Sequence, residues 1–195
     1  MRPSSRTRSK LASENPGAHE LAPKRRTARN AQFEAQVTLK ADRARVTTHL
    51  EVEPLDAFEV FTEEIDRWWR RGPKFRNSRR FDGRLEFEGG EGGRLVERSG
   101  DDEVFEIGRV LVWQPGARLV FEWRGSNFGP KDVTEVEVSF EPTANGTRVV
   151  LEHRGWEKLA LDHPVRHGLD GSAFTSMIGL WWGDLLTSYR MSSRA

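Results

Sequence analysis

The chain has 195 residues, 36% hydrophobic and 31% charged, with seven Trp, eleven Phe and a net charge of +1; that is room for one domain and a tail, with enough aromatic bulk to exclude disorder throughout. No Cys is present, which excludes a disulfide framework, a thiol nucleophile and Cys-ligated zinc and suits a reducing, cytoplasmic compartment. No apolar run reaches the roughly 18 to 20 residues of a membrane span, and the basic N-terminus lacks the apolar stretch of a secretory signal.

The near-neutral average hides two unlike parts. Residues 1–43 carry ten Lys/Arg against four Asp/Glu, a balance of +6 that leaves −5 for residues 44–195. The segment is rich in Arg, Ser, Pro and Ala and nearly lacks large apolar residues, so burial cannot offset the entropy of ordering it, and a disordered basic tail is expected. Lys24, Arg25, Arg26 and Arg29 would suit phosphate contacts. Nothing in the folded part supports base readout, so no nucleic-acid partner is expected from the domain.

From Arg45, "RVTTHLEVEP" alternates as a half-buried strand does, with Val46, Thr48, Leu50 and Val52 on one side. Pro54 suits a first helical turn, and the spacing changes to that of a helix: Leu55, Phe58, Phe61, Ile65 and Trp68 share a stripe, with Trp69 at its shoulder. A break near Thr62 would divide this into two short helices, and Gly72-Pro73 ends the second. Six strand candidates follow, "GRLEFEG", "GGRLVERSG", "EVFEIGRVLVWQP", "ARLVFEWRG", "DVTEVEVSFEP" and "TRVVLEHRG", separated by turn-formers as in an antiparallel meander. Asn145-Gly146 is expected to supply the two positive-φ positions of a hairpin. The end of the chain, "LDGSAFTSMIGLWWGDLLTSYR", is helical again, with Phe174, Ile178, Trp181 and Leu185 in line and Met177, Trp182 and Tyr189 flanking. The expected class is therefore α+β: a curved antiparallel sheet of about seven strands wrapped around a long C-terminal helix, with one or two short helices after the first strand. The two Trp-Trp pairs, Trp68-Trp69 and Trp181-Trp182, then lie on helices whose apolar stripes must face the sheet.

Several spaced motifs carry a resemblance. Gly108 to Val110, Pro115, Leu119 to Trp123, Gly146 to Arg148 and Leu151 to Trp156 occur in the order found in the SRPBCC or START-like superfamily, in its branch of activator-of-heat-shock-ATPase homologues. "PLDAFEVFTEEIDRWW" resembles that branch's first helical pair and "GLWWGDLL" its terminal helix, so the resemblance spans about residues 44–190, the expected domain. It implies a helix-grip fold with a cavity between sheet and long helix. Members bind apolar small molecules, cyclise polyketides or stimulate a chaperone ATPase, so the expected partner is an apolar ligand or a chaperone, without a cofactor.

Chemistry-bearing residues are few. If Leu119, Phe121 and Trp123 face inward, as do Val136, Val138 and Phe140, then Val149, Leu151 and His153 share that face. Arg109 has the parity of Phe105, Ile107, Leu111 and Trp113, although Val110 and Val112 leave that strand's inward side open. A cation and an imidazole inside an apolar pocket would orient a carboxylate or enolate; the alternative places Arg109 at the sheet edge and His153 in backbone hydrogen bonds. The candidate cavity residues are Phe61, Trp68 and Trp69 from the first helices, Phe87, Arg109, Trp113, Phe121, Trp123, Val138, Leu151 and His153 from the strands, and Phe174, Ile178, Trp181 and Trp182 from the last helix. His163 and His167 stand at i, i+4 with Asp162 and Asp170 nearby, but Pro164 makes the segment a helix start or loop and fixes no third ligand, so no metal site is expected. There is no G-x-S-x-G elbow, "GGEGG" lacks the Lys-Ser/Thr of a phosphate loop, and Glu135 and Glu137 face solvent, so no catalytic residue is assigned.

Overall fold

The computed structural model describes residues 36–40, 42–78, 83–100 and 103–193, and for 36–40 the backbone alone. Eight strands form one antiparallel sheet: β1 Gln36–Lys40, β2 Arg43–Leu50, β3 Arg84–Glu88, β4 Arg94–Ser99, β5 Glu103–Gln114, β6 Arg118–Trp123, β7 Thr134–Thr143 and β8 Gly146–Arg154. Their order is β1-β2-β8-β7-β6-β5-β4-β3. After β2 the chain leaves the sheet for α1 (Pro54–Thr62) and α2 (Ile65–Trp68), crosses to the far edge, and returns strand by strand until β8 pairs with β2. The long helix α3, Gly171–Ser192, packs against β2, α1 and α2. This is the expected α+β grip, with seven of the strands where the sequence places them.

The eighth strand, β1, lies inside the segment expected to be a tail and pairs with β2 in the register Gln36↔Thr47 to Lys40↔Arg43. The remainder of that expectation, residues 1–35 and 41, lies outside the described residues.

Period-two burial is cleanest in β7, where Thr134, Val136, Val138 and Phe140 are buried and their neighbours half-exposed. Leu119, Phe121 and Trp123 of β6 and Val149, Leu151 and His153 of β8 face the same interior. Strand β5 departs from it. Its pairing slips beside Gly108 on the β4 side and between Val110 and Val112 on the β6 side, and a bulge moves one residue out of the alternation. Gly108 sits so close to β6 that a Cβ there would lie 1.8 Å from the Glu122 carbonyl oxygen. Ile107 and Val110 therefore both point inward, while Arg109 and Leu111 point out.

The helix break falls at Thr62, as expected. Its hydroxyl donates to the Phe58 carbonyl at 2.8 Å, which diverts the last turn of α1. The indole of Trp68 then donates to the carbonyls of Val60 and Phe61 at 3.1 and 3.3 Å, occupying acceptors that the end of a helix leaves open.

The hairpin between β7 and β8 is set one residue earlier than expected. Thr143 pairs with Gly146, so Ala144 and Asn145 are the central residues, and among the described non-glycine residues only His167 has positive φ. Gly146 carries the turn's strain: its φ is +123° and a Cβ would meet the Leu50 carbonyl oxygen at 2.1 Å. Gly146→Ala is expected to cost at least about 2 kcal/mol in urea unfolding, from strain and collision together. Gly183→Ala, in open space on α3, is expected to gain up to about 1 kcal/mol from helix propensity. Wild-type stability in Gly146→Ala would refute this turn.

Candidate functional site

The space under the grip is unequally filled. Towards α1 it is solid: Phe58 meets Trp113 edge-on at 5.1 Å between ring centres and Phe140 at 5.3 Å, and Phe87 packs on Trp113 and Phe121 at 5.7 and 5.6 Å. Phe61, Trp68 and Tyr189 close the middle. Towards the N-terminal half of α3 a pocket of about 780 Å³ remains, lined from residues 73–77, Trp123 and 125–128 after β6, His153, Trp156, Val165 and His167, and the α3 residues Ala173, Ser176, Met177, Ile178, Leu180 and Trp181.

Of the fifteen expected cavity residues, Trp123, His153, Ile178 and Trp181 line this pocket. Phe61, Trp68, Trp69, Phe121, Val138, Leu151, Phe174 and Trp182 are buried core, and Phe87 and Trp113 pack against it half-buried. Arg109 is the clear departure: its side chain is 60% exposed on the outer face, near Glu106 at 3.8 Å, because the β5 bulges reverse its parity. On α3 the buried stripe runs through Phe174, Ile178, Trp182, Leu185 and Tyr189, so Trp182 is the fully buried member of its pair and Trp181 the half-buried one, the reverse of the expected order.

The two Trp pairs do converge. Trp69 stacks on Trp123 at 5.8 Å and 18° and meets Trp181 and Trp182 edge-on at 5.7 and 5.5 Å. Indole faces and edges attract in these arrangements beyond what burial alone supplies. Trp69 donates its Nε1–H to the Phe75 carbonyl at 2.9 Å, and Trp181 to the Lys74 carbonyl at 2.8 Å. Both bonds draw the 73–77 loop over the cluster, and Phe75 stacks on Trp181 at 6.0 Å and 23°.

That loop is pinned from beneath. The buried Arg76 guanidinium donates to Asp66 at 2.9 Å and to the carbonyls of Arg70, Trp69 and Gly83 at 3.1, 2.8 and 2.8 Å. Burial alone would raise the Asp66 pKa, but the Leu85 amide and Arg76 outweigh it and hold the carboxyl below its usual value. Buried Glu97 accepts from the amides of Asn77 and Ser78 at 2.7 and 3.1 Å. The opposite rim has its own ties. Arg166 donates to the carbonyls of Trp156 and Ala160 at 2.7 and 3.0 Å. The Val165 amide donates to His163 Nδ1, so His163 Nε2–H donates to Asp132 at 3.1 Å. Both nitrogens of His163 are thereby engaged within the protein, and among the described residues no three of His, Asp or Glu converge as a metal site.

His153 is the one imidazole at the pocket floor. Trp182 Nε1–H donates to its Nδ1 at 3.0 Å, which fixes the hydrogen on Nε2. That nitrogen donates to Thr134 Oγ1 at 2.8 Å, and the Thr134 hydroxyl passes its own hydrogen to the Trp123 carbonyl at 3.2 Å. A second proton would face the Trp182 N–H, and burial holds the His153 pKa well below the ordinary imidazole value. The arrangement orders a neutral ring; it leaves no free lone pair for acid or base work.

The apolar pocket residues that sequence reasoning missed include Phe75, Phe128, Trp156, Val165 and Met177. Phe75 and Phe128 carried a signal, each being a lone large aromatic in a polar Gly/Pro-containing loop. Trp156 closes the motif Leu151 to Trp156 that carries the family resemblance.

Because the depressed pKa of His153 lets the unfolded chain bind a proton that the folded one refuses, its stabilising effect is complete above the unfolded value near 6.5 and declines as pH falls. Stability should therefore fall as the pH is lowered from 7.5 to 5.0. His153→Gln, which keeps an acceptor and a donor, is expected to remove that part of the pH dependence in urea unfolding. An equal pH dependence in both proteins would contradict the neutral, doubly bonded ring.

Several solved structures share the fold. A Rhodobacter sphaeroides protein is 15% identical, with a TM-score of 0.54 over 82% of this chain and 97% of the other. CalU16 from Micromonospora echinospora is 17% identical, with a TM-score of 0.53 over 83% of this chain and 75% of that one. DynU16, from the dynemicin biosynthetic locus, is 16% identical with a TM-score of 0.55; the match covers 79% of this chain and about half, 48%, of DynU16. Among curated protein sequences none matches. Residues 51–177 match the family described as "Activator of Hsp90 ATPase homolog 1-like protein", a span that runs from α1 through the whole meander into α3, and the chain belongs to that family.

Proposed function

We propose that the protein binds an apolar, aromatic small molecule in the pocket beside α3 and does not transform it. The observation that carries this reading is the lining: the indoles of Trp123, Trp156 and Trp181 and the rings of Phe75 and Phe128 surround about 780 Å³ of space. That size and apolar character are those of small-molecule sites. The cyclase or aromatase alternative would need the acid/base and electrostatic pair of His153 and Arg109. His153 has both nitrogens committed and Arg109 lies on the outer face, which argues against it. Chaperone ATPase stimulation rests on the family's description.

Native mass spectrometry of the protein from its own host should show a retained small molecule, and the fluorescent probe N-phenyl-1-naphthylamine should bind with a Kd on the order of 10 μM. Ser176 faces the pocket from α3, so Ser176→Trp is expected to fill it and weaken the probe more than about tenfold while the protein stays folded. No retained molecule together with no probe binding would remove the carrier reading.

A further inference from the structure

The groups that line the pocket are unevenly charged. Lys74 and Arg76 both line it, and among the described residues no Asp or Glu does, in a chain that holds 30 of them. Arg76 is buried and saturated by Asp66 and three carbonyls. Ser126, Asn127, His167 and Ser176 also line the space, but hydroxyls, an amide and an imidazole serve a neutral oxygen as well as a charged one, so they do not set the sign of what binds. Lys74 is the cation that a ligand can reach.

This residue is fixed at its backbone and open at its tip. The Lys74 carbonyl accepts from Trp181 Nε1–H at 2.8 Å, which seats the residue against α3 at the pocket wall. Its ammonium lies 5.1 Å from the centre of the Phe75 ring, another part of that wall, and its side chain is 58% exposed. Arg70 reaches the same ring at 5.0 Å. These two cations share one carboxylate, Asp184, which lies 2.7 Å from Lys74 and 3.7 Å from Arg70. The mouth therefore holds one positive charge in excess. An ammonium has three N–H donors, and among the described residues Asp184 is the only acceptor for them, so an incoming oxygen need not displace it. The Lys74–Asp184 pair is itself exposed, and such pairs hold their partners weakly.

Resting on the carrier reading above, we infer that the ligand is an aromatic monocarboxylate, whose rings fill the apolar space and whose carboxylate sits at the mouth on Lys74. One excess cation matches one negative charge; a phosphate dianion would stay half unpaired. A charge-assisted hydrogen bond beside aromatic walls is stronger than one in open water. The acid is therefore preferred over a neutral molecule of the same shape, which still binds through its rings. Salt weakens the preference, because the ammonium is open to solvent.

The test compares 1-pyrenebutyrate with 1-pyrenebutanol, which share a ring system and chain and differ in the charged end, by titration of pyrene fluorescence at neutral pH. Wild type is expected to bind the acid about fivefold tighter, and this ratio should fall to near one in Lys74→Gln and, for wild type, in about 1 M NaCl. Asp184→Asn removes the competing carboxylate and should raise the ratio, a result that does not depend on the Lys74 variant. Lys158 is exposed and outside the pocket lining, so Lys158→Gln, with the same change in net charge, should leave the ratio unaltered. A ratio of one in wild type, a ratio that survives Lys74→Gln, one that falls equally in Lys158→Gln, or one that Asp184→Asn does not raise overturns this inference and leaves the carrier reading standing. Failure of both compounds to bind wild type overturns the two together.

Discussion

An indole N–H buried without an acceptor is costly, and Trp68, Trp69, Trp181 and Trp182 each sit where an acceptor is within reach. Trp68 is served by carbonyls that the end of α1 leaves open, Trp69 and Trp181 by two successive carbonyls of the 73–77 loop, and Trp182 by an imidazole on the sheet. The bonds of Trp68 and Trp69 tie α1 to α2 and the loop to α2 over short stretches of chain, while those of Trp181 and Trp182 tie α3 to the loop and to β8, far away in sequence. The apolar effect alone would bury these rings in many arrangements; the hydrogen bonds select one. The pocket is a consequence, since the loop that forms one of its walls is held by the indoles that form the core beside it.

Much of this arrangement could be read from the residues. Alternation along β2, β6, β7 and β8 and the helical stripe of Phe58, Phe61, Ile65 and Trp68 gave the layers, because burial on one face imposes a period that the sequence must carry. The inward face of His153 followed from the same alternation. Where the reading failed, a local event broke the period. In β5 the bulges, one beside a glycine that must lie against the Glu122 carbonyl, moved Arg109 from the inside to the outside. On α3 the apolar residues span so wide an arc that their centre was misplaced by about one residue, exchanging the roles of Trp181 and Trp182. Most of the missed pocket residues come from connections, which have no period. Their positions are set by ties such as Arg76 to Asp66 and His163 to Asp132, which follow no sequence period.

The outer face of the sheet obeys a different constraint. Glu137 stands directly opposite Glu152, and Glu122 opposite Glu135, placements that repel unless a cation intervenes. Arg154 supplies one, pairing with Glu135 and reaching Glu137 at 2.9 Å and Glu152 at 3.6 Å. Arg118 holds Glu137 at 2.8 Å, and with that hydrogen bond and Arg154 it keeps the carboxyl below its usual pKa against the opposing effect of burial. Arg98 bridges Glu86 and Glu88 on the other side. Exposed pairs of this sort add little to stability. Their effect is to keep this face hydrated, which contrasts with the rim of the pocket, where Leu180 is 67% exposed.

The division between a packed half and an open half separates stability from recognition. Phe58, Phe61, Trp68, Phe140 and Tyr189 lie away from the pocket, and each contributes a large buried area whatever the pocket contains. The pocket wall is drawn mainly from connecting segments and from the α3 face that does not touch the sheet. Substitutions there change the shape of the space without removing core contacts, so they fall in the class that perturbs folding least. Phe75, Trp123, His153, Trp156 and Ile178 belong to both halves, being buried and lining the space. In these residues a change of ligand preference cannot be separated from a change in the core, and two of them, His153 and Trp123, already share one hydrogen-bonded chain through Thr134. Trp156 stands against that chain, with its ring on His153 and its N–H outside the chain.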